Sequence, residues 1–444
     1  MSNEAGTSGD LPPGALDGVR VVDFTEYIAG PYATMMLADM GADVVKVEPV
    51  TGDHWRQQAP VAPNESRVFL GLNRGKRSVA LNAWSERGGE LARRLAASAD
   101  VVVMNYRPGV ALDLRLDYDS VRATNPTVIH ADITAFGHSG PYSHRGGFDL
   151  LSQASAGVMA YEARAQNGTP TGVRTIAPSD LTTAMFTAFG VVNALYQRIA
   201  TGEGQRVSTN LFHSALAMQY RPLVSVERED ATERAALLAL IESAQADGAS
   251  YEDTLEIRQT AQGRLAVSNY YRVYQTKDGL VAVACLNNRL RRALRDLAGV
   301  SDPSIEGSVF RPASVPLAEH ERVRQEMEAA FATRTTETWL SLLDEAKVPT
   351  APFNLTEELY DDPHVIANNL IPTFEHPTLG TIRTPRSPIE MSASTVGALT
   401  PAPVLGADTE AVLGELGLSS EEIADLEAEG IALQWRPETA ADGD

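Results

Sequence analysis

A single cysteine, Cys285, in a chain of 444 residues excludes an intramolecular disulfide framework and any cysteine-rich zinc site. No stretch keeps enough consecutive apolar residues to span a bilayer. Met1 to Pro13 carries neither a basic opening nor an apolar core, so it reads as neither a signal peptide nor a membrane span. Positive charge is also scarce. The 37 Lys and Arg stand against 58 Asp and Glu, a formal net charge of −21, which argues against nucleic acid or an anionic membrane as partner. The 8 histidines never fall in His-Glu-x-x-His spacing, so a catalytic metal has no support. No Gly-x-Gly-x-x-Gly follows the first strand-like run, and no Gly-Lys-Ser or Gly-Lys-Thr phosphate loop occurs, which disfavours a plain dinucleotide dehydrogenase or an ATPase. A cytoplasmic enzyme of two or three lobes fits these absences.

What is present is an alternation of strands and helices. Val19 to Phe24 is a short β-rich run, Tyr32 to Met40 a helical pattern, and Asp43 to Glu48 a second strand, together a βαβ unit. The pattern resumes with a helix over Ser85 to Ser98, a strand over Asp100 to Met104, a helix over Val110 to Ala123 and a strand over Thr127 to Ile133. Such alternation predicts a doubly wound, mostly parallel α/β sheet, with ligands beyond the carboxyl ends of its strands. The loops after Phe24, Glu48, Met104 and Ile133 are therefore where chemistry is expected.

Farther along, Leu181 to Ala200 predicts a long buried helix and Gln205 to Leu211 a strand. Residues 221–264 are charged and helical and read as a bridge. Tyr270 to Gln275 and Leu280 to Cys285, joined through Lys277-Asp278-Gly279, predict a hairpin, and three helices up to Ala346 complete a smaller α+β domain over 265–348. This domain is expected to be inserted between a large domain's two parts, 16–220 and 349–435, with residues 1–15 and 436–444 disordered. Ser419 to Glu422 opens the last helix as a capping box.

Asp180 stands at the mouth of the long helix, in Pro178-Ser179-Asp180-Leu181. A carboxylate there caps the helix or attacks a carbonyl, and by composition alone capping is the commoner role. The surrounding loops hold distinctive blocks: Ala29-Gly30-Pro31, Gly41 to Pro49, Leu72-Asn73-Arg74-Gly75-Lys76-Arg77-Ser78, Asn105-Tyr106-Arg107-Pro108-Gly109, Gly147-Phe148-Asp149, Thr201 to Gln205 and His376 to Gly380.

In order and spacing these blocks resemble the class III CoA transferases, the family of formyl-CoA transferase and the carnitine CoA transferases, from about Leu16 to Ala432. The resemblance implies CoA and acyl-CoA as substrates with no tightly bound cofactor, a carboxylic acid as acceptor, and an interlocked homodimer. It assigns Asp180 as the nucleophile, ionised by the helix start, whose N–H groups would also serve the developing oxyanion. Ile28 and Ala29 would line the nucleotide slot, and Asn105 and Tyr106 would touch the adenosine or pantetheine. Arg74, Lys76, Arg77 and Arg107 would form a phosphate cradle, with Leu72, Arg145 and Asp149 as further contacts. Three departures stand out. Ser179 replaces the usual glycine and adds a hydroxyl able to orient the carboxylate. Asp113 replaces an arginine, with Arg115 two residues on. Gln262-Gly263-Arg264-Leu265 has one glycine where formyl-CoA transferase has a run, which disfavours a formyl and oxalyl pair. Phe148 occupies the position of the catalytic histidine in the related acyl-CoA racemases, which disfavours two-base racemisation. A CoA-binding relative without activity is a further alternative.

Overall fold

β-branched residues mark short strands, most fully the unbroken Val101–Met104, and six strands build one parallel sheet. The order across the sheet is Gln205–Asn210, Ile129–Thr134, Val101–Met104, Arg20–Asp23, Asp43–Glu48, Lys76–Leu81 and finally Ala432–Leu433. The first six run parallel. The last, which sequence periodicity had not suggested, pairs antiparallel with Lys76–Leu81. Successive side chains point to opposite faces. Val22, Val45, Val79 and Val102 pack on Leu91, Leu95, Leu413 and Leu426. Val21, Val44, Val101 and Val103 pack on Leu37, Val191 and Leu195, which belong to helices Ala29–Asp39 and Pro178–Thr201. The fold is a doubly wound α/β sheet.

Chain order reverses between Arg20–Asp23 and Val101–Met104, so the loops leaving these two neighbours diverge and open a crevice. Gly30 lets helix Ala29–Asp39 start close to the strand end: a Cβ there would lie 2.2 Å from that of Thr25. Asn105 ties the two loops together by accepting from Glu26 N at 3.0 Å and donating to Glu26 O at 2.6 Å.

The computed structural model describes residues 12–261, 268–306, 316–398 and 400–437. Residues 262–265, with their single glycine, fall outside this set, as do 1–11 and 438–444, where disorder was expected. Residues 12–15 are ordered, since Gly14 bridges to Thr395. The chain forms two units: one runs to Arg164, resumes over Pro170–Val224 and closes the chain from Asn369; the other is Ala165–Thr169 with Ser225–Asn368. The division differs from the expected one at 348/349, because Thr350–Pro352 pairs with Leu280–Ala284 and draws the following segment into the second unit. The expected bridge consists of helices Glu227–Ala246 and Tyr251–Ala261, also in that unit. The hairpin is Tyr271–Gln275 with Leu280–Ala284, packed on a core in which Phe331 stacks on Tyr274 at 4.2 Å and on Trp339 at 4.3 Å. Cys285 is buried in this core, and burial pushes its thiol up to about 11. No described helix is long and apolar enough to cross a membrane.

Candidate active site

Three cavities open at the carboxyl edge of the large sheet, and Tyr106 and Arg107 line all of them. The largest, about 540 Å³, is lined by Tyr27, Ile28, Ala29, Asn105, Arg107, His144, Arg145, Phe148 and Asp180. A second, about 390 Å³, extends along Pro49 and Leu81 to Trp84. The third, about 320 Å³, holds His138, Asp132 and Arg206. Tyr27 has a φ of 69°, a conformation unusual for a side-chain-bearing residue. Its ring stacks on His54 at 5.2 Å and meets Phe148 edge-on at 5.3 Å. The sequence places Tyr27 in the loop after the first strand but gives it no role, since only the folded loop brings these rings together.

Of the expected site residues, the structure brings Ile28, Ala29, Asn105, Tyr106, Arg107, Arg145 and Asp180 to these cavities. Five others do not line them: Asp149, and four that lie at the opposite edge of the sheet. Leu72 is buried in helix Arg67–Leu72. Arg74 makes a two-pronged ion pair with Asp39, at 2.9 and 2.5 Å. Lys76 is fully enclosed, with its ammonium donating to Asp23, Asn73 and Pro31 O. Arg77 binds Asp43 and Glu415. All four precede or begin strand Lys76–Leu81, at the amino edge of a parallel sheet, whereas the cavities lie at the carboxyl edge. The residues that follow this strand, Leu81-Asn82-Ala83-Trp84, do line a cavity. The rule that ligands sit at carboxyl ends, applied to this strand as to the others, would have found them. Arg115 is exposed, has a φ of 55° and lines none of the three cavities.

Of the four cations expected to cradle phosphate, Arg107 is the one left available. It is exposed, and its guanidinium makes no hydrogen bond or ion pair with a described residue. Among the described residues no group of three or more metal-ligating side chains occurs.

Asp180 occupies the third position of helix Pro178–Thr201. Its carboxylate forms no hydrogen bond or ion pair with a described residue. The expectation that the helix start keeps it ionised needs correction. Asp149, from the neighbouring helix Asp149–Ser155, takes the N–H groups of Ser179 at 2.7 Å and Asp180 at 3.4 Å. Those donors are therefore unavailable to an oxyanion. Burial first, and the Asp149 charge second, push the Asp180 carboxyl up to about 7. Asp149 itself lines none of the three cavities, contrary to its expected role as a CoA contact. The Ser179 hydroxyl does not orient Asp180: it is buried without a hydrogen-bond partner among the described residues.

The profile of CoA-transferase family III matches residues 16–409, most of the chain. The chain belongs to CoA-transferase family III. It is 31% identical over 404 residues to the succinyl-CoA:glutarate CoA-transferase of Mus musculus, covering 90% of this chain and 86% of that one. It is 33% identical over 419 residues to the succinyl-CoA:mesaconate CoA-transferase of Haloarcula marismortui, covering 92% and 98%. Among solved structures, a CaiB/BaiF family protein from Brucella suis superposes with a TM-score of 0.69 at 28% identity, covering 91% of this chain and all of that one. This family III chain is an enzyme that transfers CoA from an acyl-CoA to a carboxylate.

Proposed function

We propose that Asp180 is the covalent relay for this transfer. The observation that carries the reading is a carboxylate free of any described partner, at a helix start, in the wall of the crevice where the chain order reverses. An Asp180 oxygen attacks the thioester carbonyl, the C–S bond breaks, and CoA thiolate leaves a mixed anhydride. The thiolate then attacks the aspartyl carbonyl, releasing the first acid and forming an enzyme thioester. The acceptor carboxylate attacks that thioester and expels the thiolate, which takes the acceptor's acyl group and frees Asp180. Every step exchanges one activated acyl group for another, so no ATP is needed.

Arg107 meets the diphosphate where the cavities join, and the pocket of Pro49 and Leu81 to Trp84, with its indole, suits the adenosine. Asp180 then faces the thioester end. Arg145 in the same cavity, beside His144, offers positive charge to a second carboxylate, and the two relatives above are named for glutarate and mesaconate. A dicarboxylic acid is thus the substrate class. Incubation of succinyl-CoA with a panel of acids, read by mass spectrometry, should yield new CoA thioesters of dicarboxylates in preference to acetate. Exchange of the α-proton with deuterated water without CoA transfer would favour a racemase, and tight CoA binding with neither reaction a silent relative.

The working form is a homodimer. Helix Pro178–Thr201 turns Met185, Phe189, Val192, Tyr196 and Ile199 outward, 41% to 85% exposed, spaced alternately four and three residues apart. That is an uncharged seam able to meet its own copy across a twofold axis, in keeping with the dimer the family resemblance implies. Sedimentation velocity should show a dimer, and Phe189→Glu should weaken it; a monomeric wild-type protein sinks the proposal.

A further inference from the structure

The helix that carries Asp180 begins without a cap of its own. Ala177 precedes it at φ 38° with no side chain to offer, and Pro178 has no N–H, so Ser179 and Asp180 expose the first free backbone donors. An acceptor from elsewhere in the chain must satisfy them. Asp149 does so with one carboxylate oxygen, as described.

The second oxygen of Asp149 is held by Gln153, one turn along the same helix, whose amide nitrogen donates to it at 2.5 Å. The same nitrogen donates to Val173 O at 2.8 Å, and the amide oxygen accepts from Val173 N at 2.9 Å. Val173 supplies both a donor and an acceptor, so the orientation of the Gln153 amide is fixed by its partners. Gln153 is fully buried. One side chain thus clamps the strand of chain leading into the Asp180 helix and, at the same time, aims the carboxylate that caps it. Neither residue touches the cavities, so neither contacts substrate directly.

We infer that Asp149 and Gln153 are a positioning pair: Gln153 locks Asp149 onto the start of the Asp180 helix, and the locked carboxylate fixes both the place and the electrostatic setting of the nucleophile. The inference rests on the nucleophile reading of Asp180 and deepens it. Asp149 is the charged group whose field raises the Asp180 carboxyl, after burial. Arg107, His144 and Arg145 line the same cavity. Helix Ala29–Asp39, packed on the Asp180 helix, has no acid in its first turn and no base in its last, and helix Leu211–Ala217 brings only His213.

The test is the pH profile of CoA exchange in four full-length proteins: wild type, Asp149→Asn, Gln153→Leu and Asp180→Asn. Asparagine at 149 still accepts the two N–H groups through its amide oxygen and removes the charge, while its NH2 replaces the oxygen that Gln153 held, so that hydrogen bond is lost as well. Its acid limb should therefore move to lower pH, by about one unit. Gln153→Leu leaves the charge and loses the clamp, so kcat should fall roughly tenfold with KM for acyl-CoA unchanged. An Asp149→Asn limb superimposed on that of wild type, with Asp180→Asn inactive, overturns the inference and leaves the nucleophile reading standing. Exchange retained in Asp180→Asn overturns that reading instead. Should Asp149→Asn fail to fold, Gln153→Leu decides: a rise in KM with kcat unchanged is the contrary result.

Discussion

Asp180→Asn should lose CoA exchange by roughly a thousandfold or more while becoming more resistant to heat above about pH 7. The two effects have one cause. Burial and the Asp149 charge hold the Asp180 carboxyl at about 7 in the fold, against an ordinary 3.8. Between those values the folded protein binds a proton that the unfolded chain releases. The stability this contributes is complete below the ordinary value and is lost as pH rises through about 7. Asparagine resembles the protonated acid, so the variant keeps that stability where wild type loses it. Melting curves across the pH range check the sign: the gap between the proteins should be closed in acid, open as pH rises from the ordinary 3.8 toward about 7, and level off above it. A constant gap, or one that widens in acid, contradicts the picture of a nucleophile strained by burial. For wild type, exchange should decline with a single proton as pH falls below about 7, because the protonated carboxyl does not attack.

The second large effect separates two arginines that look equivalent in the sequence. Arg107→Ala should raise KM for acyl-CoA by roughly ten- to a hundredfold, the worth of a charge-assisted hydrogen bond to phosphate, and leave the fold unchanged. Lysine at 107 should recover only part of the loss, since a point charge replaces a planar fork. Arg74→Ala should do the reverse. It strands Asp39, which is 2% exposed, and should cost about 3 kcal/mol of stability or more, with KM for acyl-CoA unchanged in whatever protein folds. Thermal melts beside steady-state kinetics distinguish the two outcomes. A KM effect at Arg74 equal to that at Arg107 would restore the wider phosphate cradle that the sequence suggested.

These two arginines also mark the limit of what could be read from the chain. Strand and helix periodicity is local, carried by which of a few neighbouring residues are apolar, so the βαβ alternation, the long helix after Asp180 and the capping box at Ser419 were all legible. So were the loops after the first and fourth strands of the sheet, because a parallel sheet puts its ligands at one edge. Arg74, Lys76 and Arg77 look like free cations only until the fold supplies Asp39, Asp23 and Asp43, which come from 34 to 53 residues earlier in the chain. Trp84 went unnoticed for the complementary reason: nothing near it in sequence shows that it ends beside Tyr106.

The sequence by itself determined the parallel sheet and the family, and it singled out Asp180 as the nucleophile proposed here, since each rests on residue types in order along the chain. Only the tertiary structure decided how Asp180 is set to work. Its ionisation depends on Asp149, 31 residues away, and on which of the two carboxylates claims the backbone N–H groups at the helix start. A helix terminus offers its donors to whichever acceptor the fold brings nearest, and local sequence does not say which one that is.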